Sequence, residues 1–485
     1  MGDEIELKLV VTSADADALE ASGLLHGAPA IAKQISTYFD TPDRALSNAG
    51  FSLRIRRSAK KRIQTIKADG ASAAGLFARA EWERPVKSEA PILDYTTPIP
   101  TLLGGAVDAI GPVFEVHVER RTWIIDEDDA KIELVLDHGA AVAGDRQSSF
   151  CEIELELKDG NLATLFALAR RINAIVPVRL GVLTKAERGY GLTGQAARAA
   201  KAAPIMFSSE VTSAQAFQII VQTCVRQFRL NEALLLVVRN AEALHQSRVA
   251  LRRLRSAFSI FKPLISGETS AALREELRWL VSELGEARNL DVLLERARQG
   301  PLHDTMKIAR EAAYDRVDTA LHSPRVRTLI LDLAEWAAMG DWLRASDAAE
   351  VRRQPARDFA TAALDRYRRK VKRDGRDLVQ VNDEARHEVR KDAKKLRYAA
   401  EFFTSLFPSK REKRRLKRFI AALEELQDKL GALNDLATAP QVLAKLGVAD
   451  DPGASALLGK DKKKVLLEGA ADAYDDLVDT RRFWR

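Results

Sequence analysis
The chain of 485 residues carries 76 Lys and Arg against 69 Asp and Glu, a formal charge of +7, with 46% hydrophobic and 30% charged residues. That length exceeds one ordinary core, the composition is that of folded globular domains, and no window approaches the ~18 uninterrupted apolar residues of a membrane span. Two distant cysteines, Cys151 and Cys224, argue against a disulfide framework and fit a reducing cytoplasm.

The opening stretch Met1–Val10 carries three acids and no apolar run, so no signal peptide is expected there. From it to about residue 190, short alternating runs predict strands at 4–10, 36–39, 51–56, 63–67, 113–125, 131–136 and 150–158, with turn formers such as Asp69-Gly70, His138-Gly139 and Asp159-Gly160 between them. Amphipathic helices are predicted near 15–21 and 162–175. Up to Ala200 the chain is slightly acidic, with 24 Lys and Arg against 28 Asp and Glu; beyond it there are 52 against 41. A basic module of that kind usually has a polyanionic partner.

The strands carry charge in register. Alternate residues of a strand share a face, so Glu4, Glu6 and Lys8 point one way while Ile5 and Leu7 pack the other way. Glu152, Glu154, Glu156 and Lys158 repeat the arrangement, Arg54 and Arg56 share a face, Lys67 ends another strand, and Arg79, Glu81 and Glu83 alternate on a fifth. A solvated outer face of an antiparallel sheet shows the same alternation. Five such strands in one domain fit a closed barrel better, with acidic and basic rows in one lumen. Carboxylates there would bind a hard cation, and Lys and Arg would bind phosphate oxygens.

Glu4-x-Glu6-x-Lys8, Tyr38-x-Asp40-Thr41, Leu53-Arg54-Ile55-Arg56, Thr65-x-Lys67, Arg79-x-Glu81, the 151–157 run and Leu183-Thr184-Lys185-Ala186-x-Arg188-Gly189-Tyr190 follow one another in order. As a set, spanning about residues 3 to 191, they resemble the CYTH, or triphosphate tunnel metalloenzyme, family. The resemblance implies an α+β domain built on an antiparallel eight-stranded β tunnel with flanking helices, binding a triphosphate end-on. It implies catalytic roles for Glu4, Glu6 and Lys8, and metal ligation of Mg²⁺ or Mn²⁺ by Glu4, Glu6 and the row Glu152, Glu154 and Glu156, without ranking within that row. Arg54, Arg56, Lys67, Arg79, Arg120, Arg179 and Lys185 would clamp phosphate oxygens; Arg121, facing oppositely, is the alternative to Arg120. The family includes adenylate cyclases and thiamine, RNA and inorganic triphosphatases, and no base-binding pocket is legible in the sequence.

Residues 196–207, rich in Ala, Lys and Arg, read as a linker, and everything beyond has helical periodicity. The helical part repeats itself: His245, Arg248, Arg252, Arg253, Leu254 and Arg255 return as His387, Arg390, Lys394, Lys395, Leu396 and Arg397. Leu284-Gly285 has a looser echo in Leu430-Gly431. Offsets of 0, +3, +7 and +10 fall on one helix stripe, so each copy presents a basic face with a histidine. One such face is usually just solvated; two copies are harder to dismiss. The duplicated pattern resembles the CHAD (conserved histidine α-helical) family, which is linked to polyphosphate binding and often follows a CYTH domain. By that resemblance the two stripes line a basic groove for polyphosphate. The runs 366–376 and 410–418 read as solvated helix faces.

The expected organisation is a tunnel domain over 1–195, a linker and an all-α helical bundle with internal duplication over 208–485, its repeats at about 208–345 and 346–485. The expected function is metal-dependent hydrolysis of inorganic triphosphate with polyphosphate binding by the helical domain, in a cytoplasmic protein. The alternative is a non-catalytic polyphosphate-binding or granule-associated protein. A nucleic-acid partner ranks last, because aromatic residues do not interleave the basic stripes.

Overall fold
The structure, a computed structural model, describes residues 4–68, 71–73, 76–127, 130–194, 199–449, 451, 454 and 463–485. The chain forms two compact units: Met1–Ala199 with Ser323–Met339, and Ala200–His322 with Gly340–Arg485.

The first unit is built on one antiparallel sheet of eleven strands among the described residues: β1 Glu4–Val10, β2 Ala30–Asp40, β3 Phe51–Ser58, β4 Lys61–Ala68, β5 Ala71–Ala73, β6 Leu76–Arg79, β7 Glu81–Pro85, β8 Gly111–Glu127, β9 Ala130–Ala143, β10 Arg146–Asp159 and β11 Arg179–Leu180. Their order is β5-β6-β1-β10-β9-β8-β2-β3-β4-β7, with β11 also on β1. β6 pairs with β1 and β7 with β4, and only Ala80 separates them, so Leu76–Pro85 is one stave that joins the two ends of the sheet. With the short β5 and β11 set aside, the ring has the eight staves expected; the higher strand count comes from this break and two small additions.

Alternation decides what each face does. Leu7, Leu9, Ile153 and Leu155 are fully buried on the outer face, where helix α4 packs against β1 and β10. The flanking helices are α1 Ser13–Ala21, α2 Ala45–Asn48, α3 Ile99–Leu103, α4 Leu162–Ile175 and α5 Lys185–Leu192. The inner face is mixed. Tyr38, Phe114, Val116, Val118, Ala141 and Phe150 make an apolar patch on which α5 sits with Ala186, Tyr190 and Leu192. Gly189 permits this approach: a Cβ there would lie 2.0 Å from a ring carbon of Phe114.

One later helix, α11 Pro324–Met339, is part of this compact unit. Its polar side chains match those of α4: Arg170 pairs with Asp332 at 2.6 Å and with Glu335, and Arg327 donates to Asn173 at 3.0 Å.

The second unit contains α6 Ser213–Leu235, α7 Ala241–Ile260, α8 Glu268–Glu283, α9 Gly285–Arg296, α10 Pro301–His322, α12 Ala349–Arg353, α13 Ala356–Asp374, α14 Asp383–Phe402, α15 Lys410–Lys445 and α16 Lys463–Asp479. The duplication is visible in detail. α7 and α14 are both 20 residues long and both begin at an asparagine, Asn240 or Asn382, whose side chain caps the third helical N–H. Phe217 and Phe261 of the first copy correspond to Phe359 and Phe403 of the second, and Phe261, itself against Phe217, stacks on Phe359 at 4.5 Å and lies 5.9 Å from Phe403. Among the described residues no helix is long and apolar enough to cross a membrane.

Candidate functional site
The tunnel encloses a cavity of about 390 Å³ whose walls differ in charge. Around an eight-stave ring, β3 lies opposite β10 and β4 opposite β9. Arg54 and Arg56 of β3 and Lys67 of β4 therefore face Glu154 and Glu156 of β10 and Glu133 of β9 across the cavity. Glu6 stands directly beside Glu156, and Glu156 beside Glu133, so three carboxylates form one row over β1, β10 and β9. Adjacent like charges in a sheet are unfavourable unless cations offset them. Lys158 supplies part of that offset, 2.6 Å from Glu156 and 3.6 Å from Glu133.

Behind and along one part of the cavity wall lies a buried charge network. Lys185, the first residue of α5, lies 2.8 Å from Asp137, 2.6 Å from Glu152 and 2.7 Å from Glu154. Lys8 lies 3.3 Å from Glu152 and 2.5 Å from Glu154. Arg120 grips Asp137 with two hydrogen bonds, of 2.9 and 2.7 Å, and reaches Glu154 at 3.0 Å. Burial opposes the charge on Lys185, but Asp137, Glu152 and Glu154 outweigh it and hold its pKa well above the usual lysine value. Burial likewise opposes ionisation of Glu154, and Lys185, Lys8 and Arg120 together drive its pKa well below the carboxylate range. Asp137 and Glu152 are lowered in the same way, and Lys8 is raised.

The 183–190 motif explains itself residue by residue. Thr184 and Glu187 form a reciprocal capping box that starts α5. Lys185 enters the acidic network, Arg188 approaches Glu152 at 3.6 Å, and Gly189 gives room for Phe114. The Tyr190 hydroxyl donates to buried Asp40 at 2.7 Å, and Asp40 also accepts from the backbone N–H groups of Thr41, Leu46 and Ser47.

Of the residues singled out in the tunnel sequence, Glu6, Lys8, Arg54, Arg56, Lys67, Arg120, Glu154, Glu156 and Lys185 line the cavity. Arg121 instead pairs with Glu20 at 2.6 Å and Glu119 at 3.0 Å. Glu152 is fully buried behind the cavity wall, and Arg179, paired with Val10 through β11, is not part of the lining. The side chains of Glu4 and Arg79 lie outside the described residues. Asp137 was missed although Lys131, Glu133 and Asp137 share one face of their strand: Val135 interrupts the charged row, and the partners of Asp137 emerge only from its register opposite Glu152 and Arg120.

In the helical unit, α7 packs against α14 and the two basic stripes meet. Burial and then the charges of Arg390, Arg252 and Arg397 pull Lys394 down to about 7, with Asp435 of α15 acting the other way. Arg248 is lowered to about 10 by burial, Arg252 and Arg288. His245 is lowered by burial and by Arg288 and Arg252, while His387 meets Asn434 at 2.9 Å. Arg255 is lowered by burial and by Arg278 and Arg274. Arg397 has acids nearby, Glu401 at 3.4 Å and Glu424 at 3.6 Å. Arg253 and Lys395 turn away from the stripe. Arg253 is buried against Glu401 at 2.5 Å and over the Phe402 ring, and Lys395 pairs with Asp392 at 2.9 Å.

A family model for the CYTH domain matches residues 2–190 and one for the CHAD domain matches residues 219–444. The chain is a CYTH domain followed by a CHAD domain. An inorganic triphosphatase of Haemophilus influenzae is 29% identical over 207 residues, 39% of this chain and 55% of that protein, so the match spans about half the length of this curated relative. The crystal structure of the CHAD domain from the plant Ricinus communis is 26% identical, with a TM-score of 0.49, covering 59% of this chain and 98% of that one. A Hippeastrum protein reported to have a dominant triphosphatase activity is 18% identical, with a TM-score of 0.30, covering 39% of this chain and 95% of that one. In the CYTH domain the acids Asp137, Glu152 and Glu154 bring carboxylate oxygens within 4.8 Å of one another. The ammonium groups of Lys8 and Lys185 already sit among them. The row of Glu6, Glu156 and Glu133, open to the cavity, is the better fit for a hard divalent cation.

Proposed function
We propose that the CYTH domain hydrolyses inorganic triphosphate with a divalent cation, Mg²⁺ or Mn²⁺, and that the CHAD domain binds polyphosphate. The observation that carries the first part is the opposition of a basic wall, Arg54, Arg56 and Lys67, to an acidic row in one cavity. A chain of phosphates lying between them meets guanidinium and ammonium groups on one side and carboxylates on the other, and such a pairing needs a cation to bridge the like charges.

In this reading Glu6 and Glu156, with Glu4 on the same face of β1, hold the metal, and Glu6 and Glu4 are the acids that activate water. A divalent cation held there would screen the phosphate charge and would make a water bound to it more acidic. Arg54, Arg56 and Lys67 hold the non-bridging oxygens along the chain. Lys8, Arg120 and Lys185 meet negative charge that develops at the leaving phosphate, from fixed positions that need no rearrangement. Glu152 and Asp137 act through those cations by positioning them, and Arg79 and Arg179 are left as candidate outer phosphate contacts. The triphosphatase name of the Haemophilus influenzae relative supports the choice of substrate.

For the CHAD domain the supporting observation is the meeting of two like-charged faces, where burial and the Arg252 guanidinium lower the pKa values of Arg248, Arg390 and Lys394 and an anion would relieve them. The reading extends to a cytoplasmic protein able to sit on polyphosphate granules.

A second reading, a binding protein without turnover, draws on the fact that Glu152 and Glu154 are engaged by lysines. Phosphate release from tripolyphosphate, ATP and long-chain polyphosphate, with Mg²⁺, Mn²⁺ or chelator, separates the two. Metal-dependent release from tripolyphosphate is expected; retention of all three substrates intact would leave only the binding protein.

A further inference from the structure
A second cationic site lies away from both basic stripes. α15 opens with Arg411, Arg414, Arg415 and Arg418, whose spacing places them on neighbouring turns of one helix side. Arg481, just beyond the end of α16, joins them around a cleft of about 530 Å³. None of its lining residues belongs to α7 or α14.

Many guanidinium groups of the helical unit are matched by acids: Arg357 by Glu412, Arg310 by Asp291, and Arg482 and Arg485 by Asp365. Among the described residues, Arg411, Arg414, Arg418 and Arg481 have no ion-pair partner. Arg415 is fixed in the wall by donating to the backbone oxygens of Arg485 at 2.9 Å and Arg482 at 3.4 Å. Asp476 and Asp479 share the lining, so five arginines face two aspartates. Like charges held this close repel, and Arg415 is lowered by slight desolvation and by Arg411, Arg481 and Arg414. An anion placed among them removes that cost.

We propose that this arginine cleft is a separate binding site for a condensed inorganic phosphate chain. Planar guanidinium forks match phosphate oxygens two at a time, and a row of them at one-turn spacing suits a flexible chain with a charge on every unit. Binding of single-stranded nucleic acid relies on rings for base stacking, and among the described residues no aromatic one lines the cleft. The site does not depend on the histidine-bearing stripes or on turnover in the tunnel.

The test uses the full chain and a dicarbonyl reagent that modifies arginine, read peptide by peptide by mass spectrometry. Long-chain polyphosphate is expected to slow modification of Arg411, Arg414 and Arg418 by about fivefold or more, and to do so equally in an Arg248→Gln/Arg390→Gln variant, since unpaired phosphate-binding arginines are shielded when bound. In equilibrium binding, Arg414→Gln/Arg418→Gln should lower the salt slope by roughly one to two, as expected for two lost phosphate contacts. Unchanged modification rates would overturn the site. So would protection that disappears in the Arg248→Gln/Arg390→Gln variant, which would make the cleft an extension of the stripes. A single-stranded oligonucleotide that protects at equal or lower charge concentration would reassign it to nucleic acid.

Discussion
Lys185 shows how much of the tunnel depends on single buried charges. Removing one partner of a buried ion pair typically costs about 3–5 kcal/mol, because the other charge is left without compensation. Lys185→Met leaves Asp137, Glu152 and Glu154 sharing Lys8 and Arg120, and urea unfolding should show a loss of that order. The pH dependence has a definite sign. The three acids have folded pKa values below the ordinary 3.8 and 4.5, so their contribution is complete above those values and is lost as pH falls through the folded ones. Lys8 and Lys185 have folded values above 10.5, so theirs is complete below 10.5 and is lost as pH rises through the raised values. The tunnel should therefore hold a stability plateau between these limits, and Lys185→Met should move the acid-unfolding midpoint upward. An unchanged acid limb would mean that the network is not what stabilises the ionised acids. Glu6 is a different case. It is buried in the cavity wall beside Glu156, and glutamine keeps its size and its hydrogen-bonding oxygen, so Glu6→Gln should reduce tripolyphosphate hydrolysis by roughly 100-fold or more while the protein stays folded. Turnover at the unaltered rate would remove Glu6 from the chemistry.

At the scale of elements, the charged strands were legible because alternation writes one face of each strand directly into the sequence. Glu6 with Lys8, Arg54 with Arg56 and the 152–156 row all follow from period two alone. What period two cannot give is which residues of different strands meet. Asp137 and Glu133 gain their roles from the register of β9 with β10, and Glu152 and Glu154 differ in exposure although they share one face. The seat of α5 was hidden for a related reason: the inner face is apolar near Tyr38 and Phe114, so those residues read as ordinary core until α5 is placed on them. In the helices, the offsets 0, +3, +7 and +10 define the stripe of His245 and Arg248, whereas Arg253 and Lys395, one residue off it, belong to packing and ion pairs. The glycines after Leu284 and Leu430 follow from the stripe. A Cβ at Gly285 would lie 3.2 Å from Nη1 of Arg248, while at Gly431 the nearest atom, Nη2 of Arg390, is 4.0 Å away. Gly431→Ala should stabilise α15 by about 0.5–1 kcal/mol and leave polyphosphate affinity alone. Gly285→Ala should displace the Arg248 guanidinium from the Val281 carbonyl, 2.8 Å away, and weaken binding severalfold. Equal effects in a binding titration would disprove the asymmetry. The same surface predicts a pH effect. Lys394, faced by Arg390 and Arg397 of its own helix, Arg252 of α7 and Asp435 of α15, has a pKa near 7 and loses its charge as pH rises through that value. Polyphosphate affinity should fall between pH 6 and 8, and Lys394→Arg, charged throughout, should flatten the profile.

For the whole molecule the question is whether affinity for polyphosphate comes from position or from overall basicity, because a chain of charge +7 attracts any polyanion to some degree. Position predicts that Arg248 and Arg390 matter more than their charge alone, since both are partly buried where the α7 and α14 faces meet and both are lowered by burial and neighbouring cations. Lys413 and Lys417 are the fitting comparison: they lie exposed on α15, outside the arginine cleft, and removing them changes net charge by the same amount. Arg248→Gln with Arg390→Gln should therefore reduce affinity for long polyphosphate about tenfold or more, while Lys413→Gln with Lys417→Gln should reduce it no more than about twofold. Both variants should be measured over a range of salt. Each phosphate contact contributes a slope of roughly 0.7–0.9 in log affinity against log salt, so loss of two true contacts lowers the slope by about 1.5, whereas loss of two distant charges shifts the curve with little change in slope. If the two double variants lose the same affinity and keep the same slope, binding is diffuse electrostatics over the helical surface, and the paired histidine-bearing faces have no special part in it.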